Sequence, residues 1–163
     1  MWFRKPKVSP AAAAQGLREY ALSVTAEDAG ITSKPGDAQV WGVLMEIGFP
    51  DAVATLASLA DGTTSLYFST GGGVIGAGEH PAVREAATAF IATADAHRAY
   101  FTGAAEYPQP APGRVRFYLR THEGPQTAEA SEEDLREGRH QLAPLFRAGH
   151  AVIAAVRRST GAG

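Results

Sequence analysis

The sequence predicts an α+β fold: an antiparallel sheet of about five strands flanked by helices, in the order α-βββ-α-ββ-α. Three observations carry this. Residues 40–70 read as three strands joined by two short turns. From Pro81, the apolar positions Val83, Ala87, Phe90, Ala94, His97 and Phe101 recur at helical spacing. From Arg114 the period returns to two, and the chain ends in a further helical run.

The elements follow in order. Ser9-Pro10 is an N-cap followed by proline in the first helical position, opening a helix from Ala11 to Val24. Gly30, Pro35 and Gly36 mark the loop after it. Val40 to Ile47 is a strand by its β-branched and aromatic content, and Gly48-Phe49-Pro50-Asp51 turns the chain. A second strand alternates from Val53 to Ala60. Asp61-Gly62 is a hairpin signal, and Thr63 to Thr70 returns as the third strand.

Pro81 opens the long helix. The prolines at 108, 110 and 112 make residues 103–113 a loop. Arg114 to Thr121 is a fourth strand and Gln126 to Ala130 a fifth. Ser131-Glu132-Glu133-Asp134 starts a short helix that stops at Gly138, and a last helix covers Gln141 to Arg157. The reading is one α+β domain over 9–158, between a flexible basic and aromatic N-terminus (1–8) and a flexible tail (159–163).

With 163 residues, 45% hydrophobic and 20% charged, the chain can bury a full core. A formal net charge of −2 gives no electrostatic case for nucleic acid. No cysteine is present, which excludes thiol chemistry, disulfides and Cys-ligated metal. The first residues lack the apolar core of a signal peptide, and no stretch is apolar enough to span a bilayer. The expected setting is cytoplasmic, without stable membrane association.

The densest segment is 69–81, where Gly71, Gly72, Gly73, Gly76 and Gly78 follow the third strand. Gly71-x-Gly73-x-x-Gly76 matches the dinucleotide fingerprint, but the context is wrong. Pro81 puts the helix start well past Gly73, and the position where an acidic ribose ligand belongs falls inside a helix. No Gly-Lys-Ser/Thr occurs, which excludes a Walker loop. The leading reading is a sharp backbone bend requiring glycine; the alternative is a ligand or anion site formed by Gly71, Gly72 and Gly73 with Glu79, His80 and Arg84.

The histidines form no His-Glu-x-x-His or other helical pair, and His97 reads as a core histidine, so no metal and no cofactor are expected. Serine chemistry has no motif. Arg114, Arg116, Tyr118 and Arg120 share one face of the fourth strand. They read as a solvated face, or as a partner surface if helices cover both sides of the sheet.

The hairpin Val53–Ser69, closed by Asp61-Gly62 and followed by an alanine-rich amphipathic helix, resembles the central hairpin and helix of roadblock domains. More broadly it is similar to profilin-like and longin-like folds, over residues 50–157. The resemblance implies a non-catalytic homodimer serving as a platform for a small GTPase or other partner. The expected function is therefore a non-enzymatic interaction domain, pairing through the low-bulk helix face Val83/Ala87/Ala94. The alternative is a small-molecule or anion-binding domain or enzyme using the glycine loop.

Overall fold

The computed structural model of the protein describes residues 8–32 and 38–161. The amino-terminal segment 1–7, Pro35 and Gly36, and residues 162–163 of the tail lie outside the described residues. The fold is α+β. Its elements are α1 (Pro10–Ser23), β1 (Val40–Gly48), β2 (Val53–Leu59), β3 (Thr64–Phe68), β4 (Gly73–Val74), α2 (Pro81–Ala96), β5 (Thr102–Gly103), β6 (Arg114–Thr121), β7 (Gly124–Ser131), α3 (Glu132–Arg136) and α4 (Ala143–Ser159).

The strands form one antiparallel sheet in the order β4-β3-β2-β1-β6-β7-β5. Among the described residues it has seven strands rather than about five. The two additions, β4 and β5, are two residues each, too short to show alternation. β4 exists because the glycine segment does more than bend. Gly71 N–H donates to the Phe68 carbonyl and Phe68 N–H to that of Gly72, closing a turn that folds the chain back along β3. Gly71, Gly72 and Gly73 all have positive φ, at 110°, 87° and 141°. A Cβ on Gly73 would overlap the Leu66 carbonyl, and one on Gly71 would overlap Pro10 of α1.

β1 is central and buried along its whole length. Its alternate residues Val43, Met45 and Ile47 face the main core with Leu56, Leu66, Val115, Phe117 and Leu119. α2 and α4 cover this face. α2 contributes Val83, Ala87, Phe90 and Ala94, and α4 contributes Leu145, Phe146, Val152 and Val156. Gly149 brings α4 down onto the sheet, because a Cβ there would press on the Met45 side chain at 2.7 Å. Val83, Ala87 and Ala94 are thus spent inside the protein and cannot pair helices between copies. Burying a side chain such as Phe90 contributes about 2–3 kcal/mol, a return that requires this internal position.

Among the described residues α1 is the one helix on the opposite face. Ser9 Oγ accepts the Ala12 N–H at its start, as the Ser-Pro pair predicts. Ala21 and Leu22 pack on Leu44, Ala57 and Tyr118. At its carboxyl end, Arg120 donates to the Ala21 and Val24 carbonyls at 2.7 and 2.8 Å while its guanidinium lies 4.7 Å from the Trp41 ring centroid. The cation meets the negative end of the helix dipole. The proline loop after β5 completes this face: Tyr118 donates to the Pro108 carbonyl at 2.6 Å and packs edge-on against Tyr107.

Two glycines of opposite kind test this account. Gly16 is helical, with open space where a Cβ would go. Gly16→Ala should raise unfolding free energy by roughly 0.5–1 kcal/mol, whereas Gly73→Ala should lower it by more than about 1 kcal/mol. Urea denaturation of the two variants measures both; destabilisation by Gly16→Ala or neutrality of Gly73→Ala contradicts the geometry.

Candidate functional site

A polar row crosses the sheet on the α1 side. Residues directly opposite on neighbouring strands share a face, and the register runs Glu129, Arg116, Glu46, Thr55, Tyr67, Gly73 from β7 to β4. Glu46 sits at its centre with 0% exposure. An isolated carboxylate there would be strongly disfavoured. Arg18 of α1 supplies the charge: Nε and Nη2 each donate at 2.8 Å, one to each carboxylate oxygen. Thr55 donates to Oε2 at 2.6 Å, and Arg18 Nη2 also reaches the Tyr107 carbonyl at 2.8 Å. Burial pulls the Arg18 pKa down, but hydrogen bonding to Glu46 and its charge leave it above the ordinary value.

Two recesses flank α1. On one side is a half-open cleft of about 430 Å³, whose walls include Gln15, Arg18, Thr55, Tyr67, Ser69 and Gln109. On the other is an apolar groove of about 180 Å³ between Pro10, Ala13 and Leu17 of α1 and Gly72, Gly73 and Ile75 beside β4. Tyr67 lies under the helix between them. Its hydroxyl is buried and has no hydrogen-bond partner. Burial, and then the Glu46 charge, push its pKa up; burial likewise pushes Tyr118 up to about 12, against the pull of Arg116.

The glycine-loop constellation is divided by the fold. Gly71–Gly73 lie against Pro10 and β3. Glu79 and Arg84 instead line a shallow recess over the β2–β3 turn with Asp61 and Gly62. Arg84 Nε donates to the Gly78 carbonyl, and His80 is an exposed N-cap of α2 whose side chain makes no capping bond. The six residues therefore do not converge.

The arginine face of β6 is also corrected. Helices do cover both sides of the sheet, but Tyr118 is fully buried and the half-buried Arg120 is engaged in clasping α1, so the two do not form a free surface. Arg114 and Arg116 both pair with Glu129, at 3.0 and 2.5 Å. Alternation located the face; it carried no information on what lies over it. His97 is half-buried, its Nδ1 bonded to the Thr93 carbonyl at 2.7 Å.

Sequence reasoning missed Arg18 and Glu46. The available signal was one acid within an otherwise apolar strand, Val40 to Ile47, which demands a cation from elsewhere. Among the described residues no three His, Asp or Glu side chains gather as a metal site, and no helix is long and apolar enough to cross a membrane. No protein-family model matches the chain, and neither a curated protein nor a solved structure matches it.

Two outcomes are expected. Arg18→Met strands the Glu46 charge and should destabilise by about 3–5 kcal/mol, whereas Arg18→Met with Glu46→Met should cost clearly less than the sum of the two single changes. Chemical denaturation of the three variants checks the cycle; additivity would deny the pairing. The tyrosines give a pH effect. The folded protein retains phenolic protons that the unfolded chain releases near pH ~10, so stability falls as pH rises from ~10 toward the raised folded values. Tyr67→Phe and Tyr118→Phe should each make that decline shallower in denaturation curves taken between pH 9 and 11; an unchanged slope would count against both shifts.

Proposed function

We propose that the protein is a non-enzymatic interaction domain that works as a homodimer, pairing through the apolar flank of α1. The observation that carries the reading is the exposed surface of that helix. Ala13, Gly16, Leu17 and Tyr20 fall on one flank by helical spacing, and Ile75 faces them across the groove. Val8, Ile75 and Tyr20 are 69%, 66% and 54% exposed. A surface helix ordinarily turns charge to water, yet this flank holds none; a helix apolar on both sides has a second surface to cover.

A second copy is the proposed occupant. The flank is uncharged, so two copies meet without repulsion, and Ala13 and Gly16 allow close helix approach. The short β4 edge beside the groove adds backbone that a partner can cover. The resemblance to roadblock domains supports the same class: a dimeric cytoplasmic platform for a regulatory partner such as a small GTPase.

Light scattering at about 100 µM should give the dimer mass. Ile75→Glu and Tyr20→Glu should each give a folded monomer that still unfolds cooperatively, its melting temperature lowered only by the lost association, since both side chains are exposed. A monomeric wild-type protein at that concentration would overturn the proposal.

A further inference from the structure

We propose that the polar cleft on the other flank of α1 is a binding site for a small, uncharged, multiply hydroxylated molecule of the monosaccharide or polyol class. Its size is right: about 430 Å³ falls within the range of small-ligand pockets. Its most telling group is the Tyr67 hydroxyl. Tyr67 is 4% exposed, lines the cleft and leaves its O–H without a partner. Buried polar groups are nearly always paired, so such an atom beside a cavity points to an occupant that supplies the bond.

The surrounding chemistry selects the class. Among the described residues that line the cleft, Arg18 alone is charged, and its Nε and Nη2 are bonded to the two carboxylate oxygens of Glu46, which is buried behind it. The pair is net neutral, so Glu46 offsets much of the attraction that Arg18 would otherwise have for an anion, and neither charge is free to bind an ion. The other polar walls are neutral and still have capacity. Ser69 Oγ accepts from Val53 N–H, which leaves its O–H to donate. Gln15 Nε2 is engaged by Glu19, which leaves its carbonyl oxygen as an acceptor. Gln109, exposed on the proline loop, offers both functions.

The α1 wall adds the methyl groups of Ala11, Ala12 and Ala14 beside Gln15 and Arg18. Donors and acceptors interleaved with methyl groups match a sugar ring, which carries hydroxyls at its rim and C–H bonds on its faces. The cleft shares only the buried Ala14 and Tyr67 with the groove beside the proposed dimer flank, so either reading can fail alone.

The test is calorimetric titration, with saturation-transfer NMR, of the wild-type chain with glucose, galactose and myo-inositol. Glucose 6-phosphate and glucosamine serve as charged comparators. At least one neutral probe should bind saturably, with Kd of roughly millimolar order for so small a ligand, and more tightly than the charged forms. Tyr67→Phe removes only the unpaired hydroxyl, and Gln109→Ala alters only an exposed loop side chain. Each should weaken binding by at least about tenfold. No neutral probe binding at about 50 mM, tighter binding of a charged form, or full affinity in either variant would overturn the proposal. If Tyr67→Phe melts early, Gln109→Ala alone decides.

Discussion

The fold is organised around one buried carboxylate. Glu46 lies on the central strand with no solvent contact, and the cation that makes this tolerable comes from α1, the one helix on that face among the described residues. Detaching α1 from the formed sheet would break this ion pair and leave both charges without their partner. Hydrophobic burial alone would hold α1 loosely, because Ala14, Ala21 and Leu22 are its only fully buried side chains. The ion pair turns a weakly packed helix into an obligatory one, and fixes its rotation and register over the sheet.

That fixed rotation is what defines the two surfaces of interest. With Arg18 pinned, Ala13, Gly16, Leu17 and Tyr20 must turn toward β4, and Ala11 and Gln15 must turn toward the proline loop. One side is thereby uniformly apolar and the other mixed. The same helix presents both because it is narrow: alanine and glycine leave recesses along its edges where larger residues would close them. The glycine turn before β4 belongs to this arrangement, since Gly71 lets Pro10 approach without a clash.

Much of the fold was legible in the sequence, for local reasons. Ser9-Pro10, Asp61-Gly62 and the period from Pro81 each specify geometry through neighbouring residues; α1 and the β2–β3 hairpin follow them closely, whereas the helix expected to reach about Phe101 ends at Ala96 and gives way to a 3-10 turn at Arg98–Tyr100. β6 is found at Arg114–Thr121, the span its alternation indicates. What stayed hidden depends on residues distant in the chain. A two-residue strand such as β5 has no pattern of its own; it is strand because β7 lies beside it. Alternation on β6 separated Tyr118 and Arg120 from Val115 and Phe117, yet both sets are largely covered, one by α1 and the proline loop, the other by α2 and α4. The site suffered most, since Arg18, Glu46 and Tyr107 meet across sequence separations of 28 and 89 residues.

The clasp between Arg120 and the last turn of α1 bears on the order of events during synthesis. It joins residues 99 apart in the chain. At ribosomal rates of roughly 5–20 residues per second, α1 emerges on the order of 5–20 seconds before β6 supplies its anchor. The β1–β2–β3 meander can form in that interval, but β1 stays an open edge until β6 arrives to pair with it. The first helix made therefore gains the clasp on its carboxyl end only after β6 is made. Its apolar flanks and the unpaired side of β1 are the surfaces a nascent chain must keep from neighbouring copies until the second hairpin, β6–β7, docks.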